Sequence, residues 1–192
     1  LQQEASRRFG FTARRTMALA QQLYEGMETR GSGRVGLITY MRTDSLNLAE
    51  VAVSEIRNFI GGRFGSDYVP SQPRHYRARK GAQEAHEAIR PTSLEFTPEI
   101  VQKFVDRDEF RLYQLIWNRF VASQMAPALY DQTSVDVEAA GGRFRATGQV
   151  LRFQGFLRVY EEGRDAPDEN DESASLPDLK EGQALGLESL AA

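Results

Sequence analysis

The chain has 192 residues, 41% of them hydrophobic and 27% charged, with a formal net charge of −3. That length suits one large globular domain or one and a half small ones. No apolar run approaches the ~20 residues of a membrane-spanning helix, no basic-then-apolar signal opens the chain, and the absence of cysteine excludes disulfides and thiolate metal sites.

The charge is unevenly spread. Residues 1–126 hold eighteen Lys and Arg against fourteen Asp and Glu, whereas residues 127–192 hold six against thirteen. The first block can attract a nucleic-acid backbone and the second repels one, although so small an excess is also ordinary for a solvated surface.

The predicted elements follow the same division. LQQEASRRFG reads as helix and Leu1 is not methionine, so a piece of a longer protein is expected. Thr12 can cap a helix through about Glu25, with Gly26 suited to the left-handed position beyond it. The glycine-rich GSGRVG then leads into ITYMRTDS at 38–45, where Tyr40, Arg42, Thr43, Asp44 and Ser45 stand together. This stretch reads either as a short strand or loop with a solvated arginine, or as a nucleophilic phenol beside a phosphate clamp. Tyr-x-Arg occurs too often to decide between them.

Asn47 and Glu50 have capping-box spacing ahead of the apolar positions Leu48, Val51, Ala52, Ile56 and Phe59, and Gly61-Gly62 is the expected stop. Thr97-Pro98-Glu99 is a further helix start. From Asp108 to Met125, Leu112, Leu115, Ile116 and Phe120 form one stripe, widened by Tyr113 and Trp117; it is read as core rather than as a base-stacking platform. After Pro127 the period changes. TSVDVE, RFRATGQVLRF and GFLRVY alternate, Gly141-Gly142 offers a hairpin turn, and QALGLESLAA is a last predicted strand. Residues 161–175 lack large apolar groups and read as an acidic surface loop. The expectation is an α+β chain: a mainly helical domain at 1–126, then part of an antiparallel sheet at 127–192.

Two acidic clusters invite a metal reading and fail it. Asp106 and Glu109 in DRDE fit a helix cap, and DENDES lacks the central glycine and distal glutamate of a calcium loop. His75 lies in a proline-broken basic segment with Arg74, Arg77, Arg79 and Lys80, suited either to phosphate contact or to plain solvation. His86, in AQEAHEAIRPT, has no second histidine at ligand spacing and no serine–histidine–aspartate pattern around it.

GLITYMRTDS, then AQEAHEAIRPT, then LYQLIWNRFVASQMAPALYD together resemble the central part of the bacterial type IA DNA topoisomerases. The resemblance covers nearly the whole chain, and Met41 is closer to the topoisomerase I branch than to topoisomerase III or reverse gyrase. It implies that Tyr40 is the nucleophile, attacking a phosphodiester of single-stranded DNA to give a 5′-phosphotyrosine and a free 3′-hydroxyl. Arg42 would clamp the scissile phosphate through its planar fork, and His86 would assist positioning at the same phosphate. Asp44 and Ser45 would cap the next helix or orient Arg42. The helical block would be a winged-helix-like gate domain of the catabolite-activator type, and the strands part of a β hinge domain.

The resemblance also implies what lies elsewhere. Magnesium and the proton-donating lysine would belong to a Toprim domain absent here, so the fragment would hold no cofactor and would not relax DNA alone. The whole protein would relax negatively supercoiled DNA without ATP, as a cytoplasmic, nucleoid-associated monomer. Its partners would be single-stranded DNA and its own remaining domains. The rival is a non-catalytic module that binds single-stranded DNA.

Overall fold

The computed structural model describes residues 1–29, 33–76, 86–139, 141–163, 176 and 179–186. Local signals set the first elements. Helix α1 (Gln2–Phe9) closes at Gly10, whose φ of 69° lies in the left-handed region that a terminal turn needs. Helix α2 (Ala13–Glu25) begins at Thr12, whose hydroxyl accepts the Arg15 N–H at 3.2 Å. A short antiparallel ribbon follows, β1 (Met27–Thr29) against β2 (Gly33–Val35), the helix-then-ribbon order of a winged-helix-like domain.

Helix α3 (Glu50–Phe64) departs from its sequence signals at both ends. Its N-cap is Ala49, not Asn47. The Asn47 carbonyl is engaged by the Ala88 N–H at 2.8 Å, and the carboxylate that accepts the Ala49 N–H comes from Glu87, thirty-eight residues away, at 2.9 Å. Gly61 and Gly62 do not stop the helix, which runs on to Phe64 and ends at Gly65. Ile56 and Ile60 are fully buried, with Phe59 and Phe64 packed on the same core. That burial outweighs the roughly 1 kcal/mol by which each glycine weakens a helix.

Helix α4 (Pro98–Val101) is a single turn with proline at its start. Helix α5 (Arg107–Ser123) opens with the reciprocal pair foreseen, Asp106 bonding the N3 backbone and Glu109 returning to the Asp106 N–H at 2.8 Å. Its stripe of Leu112, Tyr113, Leu115, Ile116, Trp117 and Phe120 is core. It packs against Leu19 and Leu23 of α2 and the buried face of α3. The mainly helical part therefore owns a complete hydrophobic interior.

The second architecture is a hairpin, β3 (Leu129–Ala139) paired with β4 (Gly142–Phe153) from Leu129↔Phe153 to Ala139↔Gly142. Gly141, with φ of 80°, supplies the positive dihedral of its turn. Alternation puts Val135, Val137, Phe144, Ala146 and Val150 on one face. The opposite face carries Asp136 with Arg145 and Glu138 with Arg143.

GFLRVY is not a strand. Gly155–Arg158 form a 3₁₀ turn, because Gly155 adopts φ of 50° where a Cβ would lie 2.3 Å from the Pro127 carbonyl oxygen. Residues from Gln154 to Gly163 belong with Leu1–Ala128 in one compact unit, and Leu129–Phe153 belong to another. Of the last predicted strand, Gln183–Gly186 form no ladder; Gln183 instead closes a turn with Lys180. The remainder of that strand, and residues 164–175 of the acidic loop, lie outside the described residues.

The returning segment is pinned by a buried carboxylate. Glu4, 5% exposed, accepts from Arg8 Nε at 2.9 Å, the Tyr160 hydroxyl at 3.0 Å and the Gly163 N–H at 3.3 Å. Tyr160 in turn accepts from Arg119 at 2.7 Å, and its ring lies against the guanidiniums of Arg8 and Arg119. Burial is the largest single influence on Glu4 and opposes ionisation. Its hydrogen bonds together outweigh it and hold the carboxyl below its usual range.

Candidate active site

The segment after β2 runs extended past the end of α2 and is locked there by backbone contacts. The Leu37 N–H donates to the Leu23 carbonyl at 2.8 Å. Gly36 approaches the Tyr24 carbonyl so closely that a Cβ would stand 2.7 Å from its oxygen, so only glycine fits without displacement.

The other edge of this segment pairs with residues 88–92. The Thr39 N–H donates to the Arg90 carbonyl at 2.9 Å, and the Thr92 N–H to the Leu37 carbonyl at 3.0 Å. Ile38 and Pro91 form an antiparallel bridge. The Thr39 hydroxyl donates to the Ala88 carbonyl at 2.7 Å and accepts the Arg90 N–H at 2.9 Å. Two motifs nearly fifty residues apart are thus held in one register, and Tyr40 and His86 emerge together at its end. Their ring centroids are 6.0 Å apart at an interplanar angle of 76°. On another side of Tyr40 lies Tyr24, at 5.5 Å and 69°.

Of the seven tyrosines, burial and bonding disqualify several as nucleophiles. Tyr113 is fully buried and donates to the Phe96 carbonyl, and burial pushes its phenol well up. Tyr160 serves Glu4, with burial again the main influence raising it. Tyr76 donates to the Ser123 carbonyl and Tyr68 accepts from Arg158. Tyr24, Tyr40 and Tyr130 are exposed and hydrogen-bond to no other described residue through their phenols. Of these three, Tyr40, 43% exposed, stands beside a histidine and two residues before an arginine.

The two arginines of the paired motifs differ. Arg90 is committed to Glu87, Nε to Oε1 at 2.6 Å and Nη2 to Oε2 at 3.2 Å, with Nη1 on the Pro91 carbonyl. Burial, the largest influence on Glu87, opposes its ionisation, but Arg90 and the Ala49 N–H prevail and lower it. Arg42 is exposed and has no hydrogen bond or ion pair with another described residue. A guanidinium not neutralised by a carboxylate is free to bind an anion bidentately.

Asp44 is exposed and caps no helix. Ser45 is buried, accepting the Asn47 N–H at 3.1 Å while its own N–H donates to the Thr43 hydroxyl at 3.0 Å. These bonds shape the loop and leave Arg42 untouched. A cleft of about 510 Å³ adjoins that loop, with Thr43, Ser45, Arg74, Tyr76 and Arg119 in its wall. Arg74 is held by its backbone, whose N–H and carbonyl both pair with the buried Gln124 side chain at 3.1 and 2.9 Å. His75 is exposed beside it. Arg77, Arg79 and Lys80 lie outside the described residues. Among the described residues, no group of three His, Asp or Glu is gathered to hold a metal ion, and no helix is long and apolar enough to cross a membrane.

Sequence reading passes over Thr39, Glu87 and Tyr24. Thr39 and Glu87 lie within the quoted motifs, and their polar character was their one signal. Tyr24 carries none, being a lone tyrosine at a helix end.

The chain as a whole is similar to several known proteins. The chain is 52% identical over 192 residues to DNA topoisomerase 1 of Xylella fastidiosa (strain Temecula1), covering 98% of the chain and 24% of that protein. It is 50% identical over 191 residues to DNA topoisomerase 1 of Campylobacter jejuni, covering 99% and 26%. The solved structure of full-length topoisomerase I from Thermotoga maritima superposes with a TM-score of 0.71 at 41% identity, over 88% of this chain and 27% of that one. The chain thus spans about a quarter of the length of these relatives. With the family model for DNA topoisomerase matching residues 1–192 from end to end, the chain belongs to the DNA topoisomerase family.

Proposed function

We propose that this chain is the nucleophile-bearing portion of a type IA DNA topoisomerase that relaxes negatively supercoiled DNA by cutting and rejoining one strand. The observation that carries the reading is the pairing of 36–39 with 88–92, which sets the exposed Tyr40 against His86 with the uncommitted Arg42 two residues on. The Tyr40 oxygen loses its proton as it attacks phosphorus, the bond to the 3′-oxygen breaks, and that oxygen takes up one proton to leave as a 3′-hydroxyl, so no net proton is consumed. The 5′-phosphotyrosine retains the energy of the broken diester, so the 3′-hydroxyl can reverse the step without ATP.

Phenols are mostly protonated near neutral pH, so charge developing on the reacting oxygens needs support. Arg42 supplies it with a permanent charge and a planar fork that fits two phosphate oxygens. His86 hydrogen-bonds the backbone at the same phosphate and helps hold it against the phenol. Arg74, with Arg77, Arg79 and Lys80, adds sequence-independent attraction for the single strand.

No gathered metal ligands exist among the described residues. The family's magnesium would be held by a Toprim domain elsewhere in the whole protein, and no step here runs through it. The 192-residue chain alone should therefore leave supercoiled plasmid unrelaxed. The larger protein is read as a cytoplasmic monomer.

The test is covalent trapping in the full-length protein. Wild-type enzyme and end-labelled single-stranded DNA should give a denaturant-resistant adduct mapping to Tyr40, and Tyr40→Phe should bind the strand but form none. Arg42→Lys keeps the charge and loses the fork. It should slow single-turnover cleavage by roughly a hundredfold, the scale of losing one preorganised donor, with a much smaller fall in affinity. Binding without any adduct would return the chain to a non-catalytic module.

A further inference from the structure

We propose that Tyr24 is a positioning residue that fixes the attack geometry of Tyr40, an inference that rests on the reading of Tyr40 as nucleophile. A phenol 43% exposed, with no hydrogen bond to any described residue, has little besides ring contacts to choose its rotamer. Rotation about χ1 swings its hydroxyl by several ångströms, whereas attack requires the reacting atoms to meet at about 3–3.5 Å. The rings packed on Tyr40 are those of His86 and Tyr24, both near-perpendicular. His86 is assigned to the DNA backbone, so its orientation must answer to the substrate. That leaves Tyr24 as the wall belonging to the protein alone.

The placement of Tyr24 does not depend on its own side chain. Its backbone is held by the helical hydrogen bonds of α2, by the Leu23–Leu37 bond and by the close approach of Gly36 to its carbonyl. Its ring is 40% exposed and lies outside the core cluster, so core packing does not account for an aromatic residue there. The same glycine contact that seats the Tyr40 segment on the end of α2 also fixes how far Tyr24 stands from Tyr40. The Tyr24 hydroxyl bonds no described residue, so the ring, rather than the oxygen, carries the effect. Edge-to-face packing is the geometry by which one ring orients another.

The experiment compares Tyr24→Phe and Tyr24→Leu in the full-length protein. It reads single-turnover cleavage of an end-labelled single strand, equilibrium binding of the same strand, and thermal unfolding. Tyr24→Phe should cleave within about twofold of wild type, because the ring contact survives. Tyr24→Leu should cleave about ten- to a hundredfold more slowly, the scale of a misplaced reacting group, with binding and melting temperature nearly unchanged. Equal cleavage by Tyr24→Leu and wild type overturns the proposal. So does a Tyr24→Phe variant as slow as Tyr24→Leu, which would assign the effect to the hydroxyl. A loss of binding as large as the loss of rate also overturns it, since Tyr24 would then be holding DNA. The underlying reading fails separately: if Tyr40→Phe still forms the adduct, both fall, whereas a Tyr40 adduct at full rate in Tyr24→Leu removes the positioning role alone.

Discussion

The helical unit and the hairpin solve the burial problem in opposite ways. In the first, the large apolar side chains of α2, α3 and α5 meet in one interior, and Leu23, Ile56, Ile60 and Leu112 reach zero exposure. In the second, Phe144 and Val150 remain 51% and 53% exposed, and the side-chain ties across the ladder include the exposed ion pairs Asp136–Arg145 and Glu138–Arg143. Two strands alone are marginal in water, since neither face finds a partner. The difference teaches where a site can be built. The nucleophilic role proposed for Tyr40 needs neighbours fixed to a fraction of an ångström, and the unit with its own packed interior is the one that can provide them.

Truncating the core should break this contrast most forcefully. Leu112→Ala removes a fully buried side chain and should destabilise the helical unit by about 2–5 kcal/mol. Val150→Ala, on the open hairpin face, should stay within about 0.5 kcal/mol. Trp117, the single tryptophan and buried in α5, makes its fluorescence in urea a reporter of the helical unit alone. Similar shifts for the two variants would erase the distinction.

Glu4→Gln comes next, at about 1–3 kcal/mol, because it removes the buried charge and leaves a neutral, weaker acceptor for Arg8, Tyr160 and Gly163. Its sign with pH follows from a carboxyl lowered in the folded state. The contribution is complete above the ordinary carboxylate pKa, about pH 4, and disappears as pH falls through the lower folded value. The gap between wild type and Glu4→Gln in denaturation midpoint should hold from pH 7 to 5 and close below pH 4. A gap that persists there would show that packing, rather than charge, makes the difference.

Glu87→Gln should cost about 1 kcal/mol, the scale of a lost helix cap, since it weakens both the Ala49 cap and the Arg90 pair. Amide exchange should rise in the first turn of α3, together with faster proteolysis near residue 90. Smallest of all, Asp136→Asn breaks an exposed pair with Arg145 and should leave the melting temperature within error. A clear drop would mean the hairpin depends on its surface charges.

What the sequence discloses about this molecule tracks how local each cause is. Asp106 and Glu109 are three residues apart, and the α5 stripe repeats with the helix period, so both could be read directly. The cap of α3 could not, because its carboxylate belongs to Glu87, and Asn47 offers a decoy with good spacing. Gly61-Gly62 resembles a stop only if the buried Ile56 and Ile60 are ignored. GFLRVY alternates like a strand, yet the approach of Gly155 to Pro127, a long-range steric fact, turns it into 3₁₀. The motifs around Tyr40, Arg42 and His86 could be recognised as a set. The register that joins two of them, and the ring of Tyr24 beside the phenol, belong to tertiary structure.

The hairpin leaves the helical unit at Ala128 and returns at Gln154, and the Phe156 N–H donates to the Ala126 carbonyl at 2.9 Å across that doorway. Entry and exit are therefore stitched together by the unit they interrupt. In the language of modular construction, residues 129–153 are an insertion with adjoining splice points. A linker of a few residues between Ala128 and Gln154 can replace the hairpin without asking any helix to move. What stays behind, residues 1–128 with 154–163, remains one compact body around Tyr40.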